Sequence, residues 1–173
     1  FKKAPETEKI VKSLNNNNDI YLVPAFTGLG APYWDANARG VLSGITRDTS
    51  PKEIVRATIE AVAYQTFDLF EAMKHDGLRP KIVKVDGGMV MNNWFSQFLS
   101  DIVNVKVLRP KVQETTALGA AFMAGLQIGV YKSLKDISKN WHLDKKFSPK
   151  MKNKSRSTLI KGWEKAVKRA LIN

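Results

Sequence analysis

No cysteine occurs among the 173 residues. That absence excludes a disulfide scaffold, a thiol nucleophile and Cys-based zinc sites. Only two histidines are present, and His75 and His142 stand far apart, which argues against a His-rich metal site. No apolar run approaches the roughly 20 residues of a membrane-spanning helix. No secretory leader is visible, and Phe1 is not an initiator methionine, so the chain reads as a fragment or a cut domain. A G-x-x-x-x-G-K-[ST] loop is missing, and Gly28-Leu29-Gly30 lacks the third glycine of a dinucleotide fingerprint. No repeat at solenoid periods occurs. What remains is ordinary for a globular protein: 43% hydrophobic and 25% charged residues, which excludes wholesale disorder. The length fits one domain, or a domain with an appendage.

Acidic residues are scarce, 16 against 28 Lys and Arg, for a net charge of +12. On its face that charge invites a nucleic-acid or anionic-surface reading. Its distribution weakens the reading. Residues 132–173 hold 13 of the basic and 3 of the acidic side chains, a net +10, and leave the rest nearly neutral. Within this basic segment Leu159, Ile160, Trp163, Ala166, Val167, Ala170 and Leu171 recur at helical spacing, with Lys161, Lys165, Lys168 and Arg169 between them. That pattern predicts a helix that docks its apolar stripe and solvates its lysines. No aromatic stacking pattern or reader motif for nucleic acid accompanies the charge.

Residues 6–14 read as a short helix and 15–18, four asparagines, as a loop insert. Residues 20–23 and 41–45 read as strands flanking a Gly- and Pro-rich loop with Tyr33 and Trp34. Ser50-Pro51-Lys52-Glu53 predicts a capping box and the start of a helix reaching about His75. Residues 82–85 read as a strand covered on both faces. A helix over 93–102, a strand over 105–108 ended by Pro110, and a small-residue helix over 117–130 follow. Ala117, Ala120, Ala121 and Ala124 are expected to pack that last helix closely on the sheet. The alternation predicts an α/β layer with a parallel strand pair.

The most informative local feature is Val85-Asp86-Gly87-Gly88, followed by Asn92-Asn93. A strand ends in two glycines and a helix begins shortly after. Ligands of open α/β sheets bind beyond the carboxyl ends of the strands. Glycine there permits positive φ and removes the Cβ that would block an approaching ligand. The helix start offers unpaired N–H groups, and Asn92 can supply a cap or an amide for a ligand. A tight turn with an ordinary Asn cap, and Asp86 as its stabilising carboxylate, is the competing reading.

Three segments together carry a family resemblance. They are residues 24–35 with Ala38-Arg39-Gly40; residues 40–45 continued by 53–60; and Val85-Asp86-Gly87-Gly88 to Asn93 with Thr116-Ala117-Leu118-Gly119-Ala120-Ala121. With these the chain resembles the C-terminal part of FGGY carbohydrate kinases, within the actin/hexokinase-like superfamily, over roughly residues 21–171. The resemblance implies part of the second ribonuclease H-like (actin/hexokinase-like ATPase) domain, ending in an amphipathic helix. It divides the chain into a partial nucleotide-binding domain, residues 1–131, and a basic segment of the same domain, residues 132–173. It implies ATP and Mg²⁺ as cofactors, with Gly88 and Asn92 on the adenosine half of the nucleotide and Gly87 shaping the turn. The resemblance of residues 24–35 to the loop of the family's glycerol-phosphorylating members implies glycerol as the phosphoryl acceptor, giving glycerol 3-phosphate. Further implications are an N-terminal kinase domain as partner, a homodimer and a cytoplasmic setting.

In this family the catalytic aspartate, the polyol-binding residues and the Thr/Gly-rich phosphate hairpin lie upstream of the matching region. No catalytic residue and no metal ligand is therefore assigned here, and the chain alone is expected to be inactive. Arg56 and Glu60 are expected to be structural or interface residues, and Arg39 and Trp34 to order their loop or meet a partner subunit. The alternatives are a kinase for another sugar or polyol, and a basic nucleic-acid-binding or scaffolding module.

Overall fold

A computed structural model describes residues 5–171. The order is α1 (Glu6–Lys12), β1 (Tyr21–Val23), β2 (Val41–Ser43), α2 (Pro51–His75), β3 (Ile82–Lys84), α3 (Asn93–Val103) and β4 (Lys106–Pro110). Then come α4 (Thr115–Gln127), α5 (Leu134–Ser138), β5 (Leu143–Phe147) and α6 (Asn153–Ala170). β1 and β2 form an antiparallel hairpin with Tyr21 opposite Ser43. β3 runs parallel to β4 with Val83 opposite Val107, and β5 pairs antiparallel with the other edge of β4, Val107 opposite Phe147.

The start of α2 is built as its sequence predicts. The Ser50 Oγ accepts from the Lys52 N–H at 3.2 Å, and the Glu53 carboxylate accepts from the Ser50 N–H at 3.0 Å. The inner face of α2 buries Ala57, Ile59, Ala63, Tyr64, Phe67 and Phe70. Against it pack α3 and, through Tyr64, the fully buried Trp163 of α6, whose ring stacks at 5.2 Å. Phe98 of α3 meets Tyr64 edge-on at 5.6 Å. Inside this core the Arg56 Nε donates to Glu60 Oε1 at 2.7 Å, and the Tyr64 hydroxyl donates to Glu60 Oε2 at 3.0 Å. Burial pushes the Glu60 carboxyl up, although Arg56 and Tyr64 both hold its charged form. Arg56 and Glu60 are thus structural, because removing either leaves a buried charge without its partner.

α6 docks as expected, burying Ile160, Trp163, Ala166, Val167 and Ala170 while its lysines face water. The Trp163 Nε1 donates to Asp68 Oδ2 at 2.8 Å. Burial pushes the Asp68 carboxyl up to about 6, against the pull of that bond. Among the described residues no helix is long and apolar enough to cross a membrane.

Four expectations need correction. β3 is not covered on both faces: it pairs on one edge only, with Ile82 52% exposed and Lys84 exposed. Short apolar runs look alike at a sheet centre and at an edge, since pairing partners are not encoded locally. Ala117, Ala120, Ala121 and Ala124 do not pack α4 on the sheet; all four are exposed. A small-residue stripe buries only where an element opposes it, and among the described residues none does. The strand expected over 105–108 runs over Lys106–Pro110, with Pro110 as its last residue at a register irregularity. The basic segment, finally, carries α5 and β5 ahead of its predicted helix.

Candidate functional site

β3 delivers the chain to the Gly-Gly turn. The Val85 N–H donates to the Leu108 carbonyl at 3.1 Å, extending the parallel pairing by one residue. Gly87 then takes φ 85°, in the left-handed region where a side chain is strained. Its N–H lies 3.3 Å from the Gln113 carbonyl, tying the turn to the loop before α4. Asp86 accepts from the Thr115 hydroxyl, so its carboxylate is engaged in holding the turn.

A single 3₁₀ segment, Gly88–Met91, leads to Asn92. The Asn92 Oδ1 caps α3 by accepting from the Phe95 N–H at 3.0 Å, and its Nδ2 lies 3.5 Å from the Thr7 hydroxyl. Both residues face one cleft of about 540 Å³, whose other walls come from Thr58, Ile59, Met89 and Met91 and from Pro5, Thr7 and Glu8. A Cβ built on Gly88 meets no atom within 4 Å. The backbone is therefore bare toward open space. Glu8 accepts from the Asn93 N–H at 3.3 Å, and Lys12 beside it holds its carboxyl below the ordinary range.

Arg109 is the main residue that sequence reasoning missed. Its buried guanidinium donates from Nη1 to the Val90 carbonyl at 2.8 Å and from Nε to Asp144 Oδ2 at 2.7 Å. It thereby staples the 3₁₀ segment to β4 and β5. No local signal marks it, because its partners lie 19 and 35 residues away. The walls supplied by α1 and α2 escaped notice for the same reason. Of the other residues singled out, Arg39 orders its loop by donating to the Ala36 and Ala38 carbonyls at 3.0 and 2.9 Å. Trp34 lies in the same loop, 79% exposed.

Chemically, the arrangement offers apolar walls, bare backbone and one amide side chain. That combination suits a flat heteroaromatic ring bearing a few polar atoms. Among the described residues no group of three His, Asp or Glu side chains is placed to hold a metal ion, so a Mg²⁺ site is not assigned to them.

The chain belongs to the FGGY family of carbohydrate kinases: the model of that family's C-terminal domain matches residues 2–128. More particularly, it is similar to glycerol kinase 1 of Pseudomonas aeruginosa, 55% identical over 166 residues, covering 96% of this chain and 34% of that protein. Among solved structures it resembles Plasmodium falciparum glycerol kinase with ADP, at TM-score 0.86 and 37% identity, over 100% of this chain and 35% of that one. Gluconate kinase from Lactobacillus acidophilus follows at TM-score 0.75 and 26% identity, over 95% of this chain and 33% of that one. The chain thus spans about a third of the length of the curated relatives it matches, 34% of the Pseudomonas protein. The expected architecture holds: an α/β portion of an actin/hexokinase-like kinase, ending in a docked helix.

Proposed function

We propose that the intact protein transfers the γ-phosphoryl group of ATP to glycerol, forming glycerol 3-phosphate, and that this chain supplies the adenosine-binding part. Gly87 shapes the turn, Gly88 leaves the backbone open to the base, and Asn92 presents its amide beside it. The observation that carries this reading is the Cβ-free Gly88 opening on an apolar cleft, in a chain 55% identical to a glycerol kinase. ATP contributes the transferable phosphoryl group when bound. The residues of this chain bind and orient its adenosine end. Mg²⁺ would enter with the nucleotide, and the base that accepts the glycerol proton is assigned upstream.

In the same reading residues 1–131 are the partial nucleotide-binding domain, and residues 132–173 complete it with α6. The N-terminal kinase domain is its partner in the intact protein. The assembly is a cytoplasmic homodimer.

The test is Gly88→Val in the intact enzyme. Its isopropyl group projects into the cleft, so KM for ATP rises far more than KM for glycerol. Equal effects on both substrates would overturn the assignment. Replacing glycerol by a pentulose as acceptor separates this function from that of other sugar kinases.

A further inference from the structure

The nucleotide reading leaves two features of the sequence unused: the four-asparagine run and Arg56. The structure brings them together. The run is a loop, as expected, tied down by side-chain hydrogen bonds. Asn17 is buried, and the Asn18 Nδ2 donates to Glu53 Oε1 at 3.2 Å. Asn18 and Asp19 both hold left-handed backbone, φ 51° and 57°, which non-glycine residues adopt singly and seldom in succession. This loop walls a second cleft, of about 600 Å³, against Trp94 and Gln97 of α3 and Ser155 of α6. The cleft shares no lining residue with the one at Gly88.

Arg56 lies at its base, more than nine-tenths buried, with its guanidinium 5.0 Å from the Trp94 ring centre. Nε is taken by Glu60 and Nη1 by the Leu14 carbonyl, each at 2.7 Å, and among the described residues Nη2 donates to nothing. That leaves a fixed N–H donor pair at the cleft. The charges sort the ligand. An anion would face Asp19 and Asp101, and Glu60 already balances Arg56. A cation would face Arg56 and Lys154. Both N–H groups of Gln97 are spent, on Asp101 Oδ1 at 3.1 Å and the Ser148 carbonyl at 2.8 Å, so its Oε1 is left to accept, while the exposed amides of Asn15 and Asn16 add donors; together these make the set that hydroxyl groups match. Met151 and Leu159 add apolar surface for C–H faces.

We propose that this cleft, built by the asparagine run, Arg56, Trp94 and Gln97, binds a neutral polyhydroxylated small molecule, a free sugar or polyol. The site is separate from the nucleotide turn, so the proposal does not rest on the kinase reading.

Ligand-observed saturation-transfer NMR on the full-length protein, with maltose as the probe, tests it. The expected result is a saturable signal, unchanged by saturating ADP. Ser155→Trp fills the cleft from an exposed helical position and should weaken binding at least about tenfold while leaving the melting temperature unchanged. Asn15→Trp fills it from the opposite wall and decides the matter if the first variant folds poorly. Glucose 6-phosphate should bind more weakly than maltose. The proposal is overturned by no saturable signal, by undiminished binding in both filled variants, or by tighter binding of the phosphorylated sugar.

Discussion

Trp163 is the side chain on which the docking of α6 turns, and its contribution separates into two measurable parts. The indole is fully buried, stacks on Tyr64 and donates to Asp68. Trp163→Ala removes all three and should cost about 3–5 kcal/mol, as large aromatic deletions in cores do. Trp163→Phe keeps most of the ring packing and removes the 2.8 Å bond. A hydrogen bond to a charged group is worth about 1.5–3 kcal/mol, so that variant should lose this much at pH 7.5, where Asp68 is ionised. The loss should shrink on acidification. With a folded value of about 6 against an ordinary 3.8, Asp68 is protonated more readily in the folded protein. Its own contribution to stability therefore rises as pH falls through 6 toward 4. Below about pH 5 the group is neutral and the missing donor matters less. Asp68→Asn should flatten this pH dependence and, combined with Trp163→Phe, show a smaller loss than the two single variants predict. Chemical denaturation of the full-length protein between pH 5 and 7.5 reads all of these. A Trp163→Phe variant as stable as the wild type at pH 7.5, or a loss independent of pH, would refute the reasoning.

Two further outcomes follow from close contacts. Gly162→Ala would favour an isolated helix by about 1 kcal/mol. Here its Cβ would stand 2.1 Å from the buried Tyr21 hydroxyl, so the melting temperature should fall instead of rise. Arg109→Met should loosen the segment Gly88–Met91 by freeing the Val90 carbonyl. In the intact enzyme it should raise KM for ATP by about tenfold, roughly 1.4 kcal/mol, with kcat changed much less. An unchanged KM for ATP would remove Arg109 from its positioning role.

Local codes were legible and long-range pairing was not. Ser50, Pro51 and Glu53 announce α2 because a capping box is complete within four residues. The stripe of α6 announces itself because seven apolar residues hold one helical face. Gly87 and Gly88 stand out because a strand and a helix flank them closely. β5 was hidden because Leu143-Asp144-Lys145-Lys146-Phe147 is mostly charged and buries only Phe147; its extended state comes from pairing with β4. The alanines of α4 misled because a good helix former and a close-packing residue are the same residue. Arg109, Thr58 and Ile59 reach the candidate site through the fold alone.

The Arg109 staple bears on how the gene tolerates damage. Asp144, which holds one side of that guanidinium, sits in the basic C-terminal segment together with β5 and α6. A stop codon after Tyr131 would look like the loss of a charged tail. It would in fact strip β4 of one neighbouring strand, take Trp163 from the core and leave Arg109 with a carboxylate missing. A nonsense mutation there belongs with lesions of the Gly-Gly turn, more than 40 residues upstream, rather than with harmless trimming.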